Sequence, residues 1–164
     1  MDIEELVVDK ICSMINVALS RVIKPDIKLN KVTELDKEMI IKLKEAYGIE
    51  AIILDVDDTL RKNMRDIPDV NKKWIENLRG ELKVIVLSNG RDKKIEQFLK
   101  ERNIDYISFA HKPLKRGFKK ACEALDVSPE KVLVVGDSVI GDVHGGKRNK
   151  MKTALVKRVD ELDR

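Results

Sequence analysis

One ten-residue stretch, 51–60 (AIILDVDDTL), constrains the fold of this chain more than any other. It begins with a short apolar run rich in isoleucine, which is typical of a strand buried on both faces of a parallel sheet. The run ends abruptly in Asp55, Asp57, Asp58 and Thr59. Because open α/β sheets bind ligands at the carboxyl ends of their strands, these polar residues are predicted to lie at a binding edge.

An EF-hand calcium loop is the alternative interpretation of the repeated aspartates. Such a loop needs a glycine at its sixth position and a glutamate at its twelfth. This chain has Leu60 and Asp66 there, which excludes a calcium loop.

Length and charge indicate a single globular unit with a charged surface. A chain of 164 residues predicts one domain with a substantial core, and 43% hydrophobic with 38% charged residues is a globular balance. Lysine and arginine outnumber aspartate and glutamate by 33 to 29. Because acids gather at the predicted binding edge, the remaining surface is expected to be more basic than the net charge of +4 indicates, which favours anionic partners.

Cysteine usage and hydropathy indicate the compartment. Cys12 and Cys122 are far apart and form no CxxC motif, so a reducing compartment fits best and both are predicted to be core thiols. No stretch approaches the roughly 18 unbroken apolar residues of a membrane span. The acidic start (Asp2, Glu4, Glu5) does not fit a signal peptide, and a cytoplasmic protein is predicted.

The N-terminal region, 1–48, is predicted to form amphipathic helices that pack on the core or lead into it. Apolar residues recur at helical spacing over 3–23, and a second helical pattern ends at Gly48, a favourable C-cap. Between them, Pro25 and Asp26 break the first helix and a polar connector follows. The first helix could lie on a membrane interface or pack on the domain; packing is favoured, because its acidic front half would be repelled by anionic lipid.

The remainder, 49–164, alternates strand and helix patterns and is predicted to form the core domain. The predicted strands are 51–54, 83–87, 104–109, 131–135 and 153–156. Helical patterns of about 10 to 15 residues separate them, which indicates right-handed βαβ units. The predicted fold class is therefore α/β, a three-layer α/β/α Rossmann-like domain with a mostly parallel sheet and extra N-terminal helices.

Four strand ends bring polar residues to one edge in a defined order. They are Asp55, Asp57 and Thr59; Ser88 and Asn89; Lys112; and Asp137 with Asp142. In this order they resemble the four motifs of the haloacid dehalogenase (HAD) superfamily of phosphohydrolases, which are DxDxT, a Ser or Thr, a Lys, and GDxxxD or GDxxxxD. Here the motifs read DVDDT, LSN, HKP and GDSVIGD.

The resemblance covers 49–156 and implies the HAD fold. No large insertion separates the first three motifs, so the chain looks like a member without a large cap domain, of subclass IIIA. Pro25 and Asp26, the KP of the third motif and GDSVIGDVHGG at the fourth are more narrowly similar to the YqeG group. That group includes phosphatidylglycerophosphate phosphatases of bacteria and mitochondria.

The resemblance implies a catalytic role for two aspartates of the first motif. Asp55, ionised at neutral pH with a reference pKa of about 3.9, would be the nucleophile that forms an aspartyl-phosphate. Asp57 would protonate the leaving oxygen and later deprotonate water. This role requires a pKa raised by about 3 units through neighbouring negative charge and burial.

Crowded carboxylates would repel one another and the phosphate, so a cation is expected. Mg²⁺ suits hard oxygen ligands, and the implied ligands are the side chain of Asp55, the backbone carbonyl of Asp57 and the side chain of Asp137. Asp142 is expected to assist through water or by orienting Lys112. The implied phosphate-binding residues are Thr59, Ser88, Asn89 and Lys112.

A site without a cap favours, by analogy, a large or membrane-bound phosphate ester. Two basic clusters lie beside the third and fourth motifs; runs of charge are usually solvated faces, which is the favoured interpretation, but beside a site they could hold the protein against anionic lipid. The clusters are Lys112, Lys115, Arg116, Lys119 and Lys120, then Lys147, Arg148, Lys150, Lys152, Lys157 and Arg158.

The leading hypothesis is a Mg²⁺-dependent phosphatase that acts on phosphatidylglycerophosphate in phospholipid biosynthesis, in peripheral contact with the inner face of the membrane. One alternative is a soluble phosphatase of nucleotides, sugar phosphates or phosphoproteins. The other is a non-catalytic nucleic-acid-binding protein on the same scaffold. It is disfavoured because only 4% of the residues are aromatic, which leaves few rings to stack on bases.

Overall fold

The computed structural model describes residues 3–158, in which a six-stranded sheet lies between two layers of helices. The strands are β1 (Ile27–Leu29), β2 (Ala51–Leu54), β3 (Lys83–Leu87), β4 (Asp105–Ile107), β5 (Val132–Gly136) and β6 (Lys152–Val156). The α-helices of this part are α1 (Ile3–Leu19), α2 (Lys37–Tyr47), α3 (Asp69–Leu78), α4 (Lys93–Lys100), α5 (Lys115–Leu125) and α6 (Gly145–Arg148).

The sheet has the order β1-β6-β5-β2-β3-β4, and every neighbouring pair is parallel. All four residues of the central strand β2 are buried. Ile52 and Leu54 face the core formed with α2, α3 and α4, whereas Ala51 and Ile53 face the core formed with α5. The predicted three-layer α/β/α fold is confirmed, and the sheet is parallel throughout rather than mostly parallel.

The connections after the strands are short, and this leaves the carboxyl edge of the sheet open. Those after β2, β3 and β4 are 55–68, 88–92 and 108–114. Each is too short to fold as a cap domain of its own, as the sequence predicted. Because all six strands are parallel, the connections that follow them meet at the same edge.

The N-terminal region contributes a strand that was not predicted. β1 pairs with β6 where the sequence indicated only a polar connector, so that prediction was wrong. The carboxylate of Asp26 fixes the start of β1, because Oδ2 accepts hydrogen bonds from the backbone N–H (2.9 Å) and the hydroxyl (3.2 Å) of Thr153. Three residues are too few to show a strand period, and these partners are 127 positions apart.

α1 is shorter than predicted and largely unburied. It ends at Leu19, and its exposed apolar side chains range from 48% exposure at Ile15 to 78% at Ile3. It contacts the core at the π-helix Val139–His144. Cys12 is exposed, so its prediction as a core thiol was wrong, while Cys122 packs half-buried against the core. None of the helices within 3–158 combines the length and the apolar character needed to cross a membrane.

Candidate active site

The loop after β2 turns back tightly around one carbonyl. The backbone N–H groups of Thr59, Leu60 and Arg61 all donate to the carbonyl oxygen of Val56, at 2.8 to 3.3 Å. Asp58 occupies the left-handed backbone region with φ 57°, which aspartate tolerates better than most residues. This loop gives the neighbouring aspartates of the DVDDT motif different surroundings.

Lys112 joins the first and fourth motifs through two short ion pairs. Its Nζ donates to Oδ1 of Asp55 and to Oδ1 of Asp142, each at 2.7 Å. The lysine side chain is only 4% exposed. Although burial opposes its charge, the carboxylates of Asp142 and Asp55 raise the pKa of Lys112 above its ordinary value. The lysine therefore remains a fixed positive charge beside Asp55.

Thr59 lies between the carboxylates of the same two motifs. Its buried hydroxyl is 3.0 Å from Oδ2 of Asp55 and 3.4 Å from Oδ1 of Asp137. A hydroxyl has a single proton, so it donates to one of these oxygens at a time. Thr59 thus contacts both carboxylates, and its shorter contact is to Asp55.

Three carboxylates are crowded at this point of the edge. Asp55, Asp137 and Asp142 each bring an oxygen within 4.8 Å of the others. Burial, followed by the charges of Asp55 and Asp142, raises the pKa of Asp137 well above its ordinary value. Burial and the charge of Asp55 also raise the pKa of Asp142 to about 6, against the opposing effect of Lys112. The cluster therefore has more negative charge than its buried partners neutralise.

The carboxylate of Asp142 packs closely against Gly136, the first residue of the fourth motif. The carboxylate of Asp142 lies where a side chain of Gly136 would be, so even an added methyl group at Gly136 would overlap it. Oδ2 of Asp142 also accepts a hydrogen bond from the backbone N–H of Ser138, at 3.2 Å. The GDSVIGD motif thus brings the carboxylate of Asp142 into contact with Lys112.

The comparisons with known proteins agree with this geometry. Residues 35–149 match the haloacid dehalogenase-like hydrolase family. The probable phosphatase YqeG of Bacillus subtilis is 32% identical over 126 residues, which cover 74% of this chain and 72% of the relative. The chain belongs to the haloacid dehalogenase-like hydrolases. It is therefore an enzyme, as the sequence predicted.

Two further comparisons place this HAD hydrolase more broadly. The glyceraldehyde 3-phosphate phosphatase of Pyrococcus furiosus is 25% identical over 126 residues; the match covers 70% of this chain but only about half (52%) of the relative. A HAD family enzyme of Bacteroides thetaiotaomicron, solved as a magnesium complex, has a TM-score of 0.57 at 17% identity, covering 71% of this chain and 99% of that one. The structural likeness shows the fold, while the curated relatives and the aspartate cluster support phosphatase activity.

The second motif of this HAD hydrolase lies beside Lys112. Ser88 is buried, and its hydroxyl oxygen accepts a hydrogen bond from the backbone N–H of Gly90 at 3.2 Å. The side chain of Asn89 bonds to the backbone of Lys112: Oδ1 accepts from the lysine N–H at 2.6 Å, and Nδ2 donates to the lysine carbonyl at 3.4 Å. Asn89 thus fixes the backbone position of Lys112.

Asp57 has a partner that sequence reasoning missed. Oδ1 of Asp57 accepts a hydrogen bond from Nε of Arg61 at 2.9 Å, and Nη1 of Arg61 donates to Oδ2 of Asp92 at 2.7 Å. Arg61 is 3% exposed, while the Asp57 side chain is 41% exposed. Negative neighbours and burial were expected around Asp57; the structure instead gives it a cationic partner and partial access to solvent.

Two further contacts of the fourth motif come from the ends of the described chain. Nε of Arg158 donates to Oδ2 of Asp137 at 3.1 Å. Asn16, on α1, donates from Nδ2 to the carbonyl of Asp137 at 2.8 Å and accepts at Oδ1 from the N–H of Val139 at 3.0 Å. The unpredicted Asn16 therefore connects the N-terminal helix directly to the loop that carries Asp137.

The donor set fits a hard divalent cation. Asp55 and Asp137 offer carboxylate oxygens close together; burial and then the neighbouring negative charge raise the pKa of Asp137, and a bound cation would neutralise that charge. Asp142 completes the cluster but is already bonded to Lys112. The side chain of Asp57 lies outside this cluster, which leaves its backbone carbonyl as the group predicted to join the ligands.

Proposed function

We propose that this hydrolase is a Mg²⁺-dependent phosphomonoesterase that works through an aspartyl-phosphate on Asp55. The observation that carries the proposal is the pair of bonds that fix both oxygens of Asp55, one to Lys112 at 2.7 Å and the other to Thr59 at 3.0 Å. Held in this way, an ionised carboxylate is oriented toward a phosphorus atom at the open edge of the sheet.

In the first step, an oxygen of Asp55 forms a bond to phosphorus while the bond from phosphorus to the ester oxygen breaks. Asp57 gives a proton to the departing alcohol. Its Oδ1 is bonded to Arg61, and its Oδ2 accepts no hydrogen bond from residues 3–158, so Oδ2 is the oxygen that would hold the proton.

In the second step, Asp57 removes a proton from water, which attacks phosphorus and breaks the bond to Asp55. Inorganic phosphate leaves and the Asp55 carboxylate is restored. Lys112 contributes a positive charge to the transferring group, together with the hydroxyl of Ser88 and the backbone N–H of Asn89. The N–H of Asp58 is already donated to the carbonyl of Arg61 at 2.8 Å and is therefore not among these donors.

Mg²⁺, held by the side chains of Asp55 and Asp137 and the carbonyl of Asp57, would supply positive charge to the phosphate oxygens. Asp142 is proposed to act through Lys112, whose ammonium group it holds at 2.7 Å.

We infer that the natural substrate is phosphatidylglycerophosphate. Two features support a large ester: the short connections after the strands leave the site open, and exposed lysines and arginines lie on α5 beside Lys112. A small soluble ester is the second candidate, because the Pyrococcus relatives are named glyceraldehyde 3-phosphate phosphatases.

The test is phosphate release from phosphatidylglycerophosphate in mixed micelles, with and without Mg²⁺, beside a panel of soluble phosphate esters that includes glyceraldehyde 3-phosphate. The Asp55→Asn variant serves as the blank. Mg²⁺-dependent turnover of the lipid that vanishes in the blank would support both mechanism and substrate. Turnover limited to soluble esters would retain the mechanism and reject the lipid, and no Mg²⁺-dependent turnover of any ester would reject the proposed function.

A further inference from the structure

The carboxyl edge of the sheet, here named the catalytic edge, exposes large apolar side chains around the candidate site. The exposed fractions are 69% for Met64, 59% for Phe109, 57% for Leu114 and 44% for Ile140. They come from three separate connections, after β2, β4 and β5. Leu114 is two residues after Lys112 in the chain. Ile140 is next to Gly141, where an added side chain would contact the Lys112 side chain. Leu114 and Ile140 therefore lie next to the site, and all four apolar residues belong to segments that follow strands at this edge.

The catalytic edge also carries cations without acidic partners. There are six such cations. Lys62 and Arg65 lie in the connection after β2, Lys93 and Lys94 in the first turn of α4, and Lys115 and Arg116 in the first turn of α5. None of the six forms an ion pair with another residue of 3–158. Among the acids of the same segments, Asp57 and Glu96 are partly exposed but paired with Arg61 and Arg91, Asp58 is half-buried, and Asp66 is exposed. This edge therefore has an excess of uncompensated positive charge around a cluster of buried carboxylates.

Two features of the catalytic edge are unfavourable when no partner covers it. α5 begins with Lys115 and Arg116 and has no acid in its first turn, although the positive end of a helix dipole favours acids there. Phe109 has a left-handed backbone, φ 51°, which is strained for a bulky residue, and its ring is directed to solvent. An anionic, partly apolar surface opposite this edge would compensate both features.

We propose that the catalytic edge docks face-on to an anionic lipid surface, with Phe109 and Leu114 entering the interface and Lys115 and Arg116 contacting the head groups. Cations attract anionic lipid, and neighbouring apolar side chains gain by leaving water. In this orientation the open site faces the membrane, so a phosphorylated head group reaches Asp55 without leaving the bilayer. The inference rests on the proposed function for its purpose, but lipid binding can be measured without catalysis.

The first experiment is co-sedimentation of the full chain with vesicles of phosphatidylcholine alone or of phosphatidylcholine with phosphatidylglycerol. The wild type is expected to bind only the anionic vesicles. Combined Lys115→Glu and Arg116→Glu should lower the partition coefficient by about tenfold or more. The matched control, Arg79→Glu with Lys100→Glu, makes the same charge change on two exposed cations at the opposite edge and should have little effect.

The second experiment removes the apolar contacts with substitutions that suit the fold. Asparagine tolerates the backbone of Phe109, and serine is a favoured residue at the N-cap position of Leu114, so Phe109→Asn and Leu114→Ser should preserve or raise the melting temperature. Both are expected to weaken vesicle binding. Ile41→Ser, on the outer face of α2, is the control for loss of an exposed apolar side chain.

Turnover of p-nitrophenyl phosphate in solution separates the two proposals. Edge variants that bind vesicles less but hydrolyse this small ester normally would support the docking surface. Wild-type protein that hydrolyses the ester but does not bind anionic vesicles would overturn docking and leave the proposed function intact. Equal loss of binding in edge and control variants, or an unchanged partition in the edge variants, would also overturn it, as would binding to RNA in place of vesicles.

Discussion

Asp55 and Asp57 are two residues apart, yet they face opposite environments. Asp55 is 12% exposed and belongs to an inner cluster with Lys112, which Asp142 holds from the other side. Asp57 belongs to an outer arm, 41% exposed and bonded to Arg61. The difference suits the two proposed roles: a nucleophile must be held in place, whereas a group that exchanges protons with an alcohol and with water needs access to both.

The largest expected effect comes from removing the nucleophile in the inner cluster. Asp55→Asn keeps the shape of the side chain but cannot attack phosphorus as a carboxylate. Turnover of every ester should fall by about 10⁴-fold or more, on the scale of losing a catalytic nucleophile. Acid quenching with labelled substrate should trap a phosphoprotein in wild type and none in the variant; a trapped phosphoprotein in Asp55→Asn would contradict the assignment.

Asp57→Asn should have a smaller effect that depends on the leaving group. General acid–base catalysis typically contributes about 10²- to 10⁴-fold, so turnover of phenyl phosphate should fall by that amount. p-Nitrophenolate needs less protonation to leave, so formation of the phosphoenzyme from p-nitrophenyl phosphate should fall less. Single-turnover kinetics on the two esters provides the measurement, and equal losses would argue against an acid role for Asp57.

Arg61 and Asp92 should act through Asp57 as positioning residues. Arg61→Ala and Asp92→Asn are expected to lower kcat for phenyl phosphate by about tenfold, with a smaller change for p-nitrophenyl phosphate. Asparagine at 92 still caps α4, so Asp92→Asn tests the ion pair without removing the cap. Arg61→Lys should restore part of kcat, because it keeps the charge. A loss that is the same for both esters would indicate a purely structural role.

The smallest expected effect is on stability. At a Mg²⁺ concentration about ten times the dissociation constant, the melting temperature of wild type should rise by about 3–6 °C, and Asp137→Ala should abolish the rise. Scanning calorimetry with and without Mg²⁺ measures this. An equal rise in both proteins would show that the cation binds elsewhere.

Much of the inner cluster could be predicted from the sequence, because Asp55, Lys112 and Asp137 each follow a strand closely and parallel strands bring such residues to one edge. The outer arm could not be predicted. Arg61 meets Asp57 only because the loop turns around the Val56 carbonyl, and its second partner, Asp92, is 31 positions away. Local periodicity contains no information about such a contact.

The fold shows the same division between local and distant information. The strands at 51–54 and 83–87 were predicted with their observed bounds, because short apolar runs rich in Ile and Val are typical of buried strands. β1 was missed, since three residues show no period. In α1, helical spacing correctly predicted the helix but not its exposure, because periodicity indicates which residues share a face and not whether anything covers that face.

Gly136 contributes to the site because it has no side chain, which leaves room for the carboxylate of Asp142. The six cations of the catalytic edge that form no ion pair within residues 3–158 are expected to tolerate substitution one at a time. At Gly136 a single added carbon would displace the carboxylate of Asp142 and remove one of the two counter-charges of Lys112. In a library of variants of this chain, loss of a single charge at the catalytic edge should therefore be tolerated better than a methyl group added at Gly136.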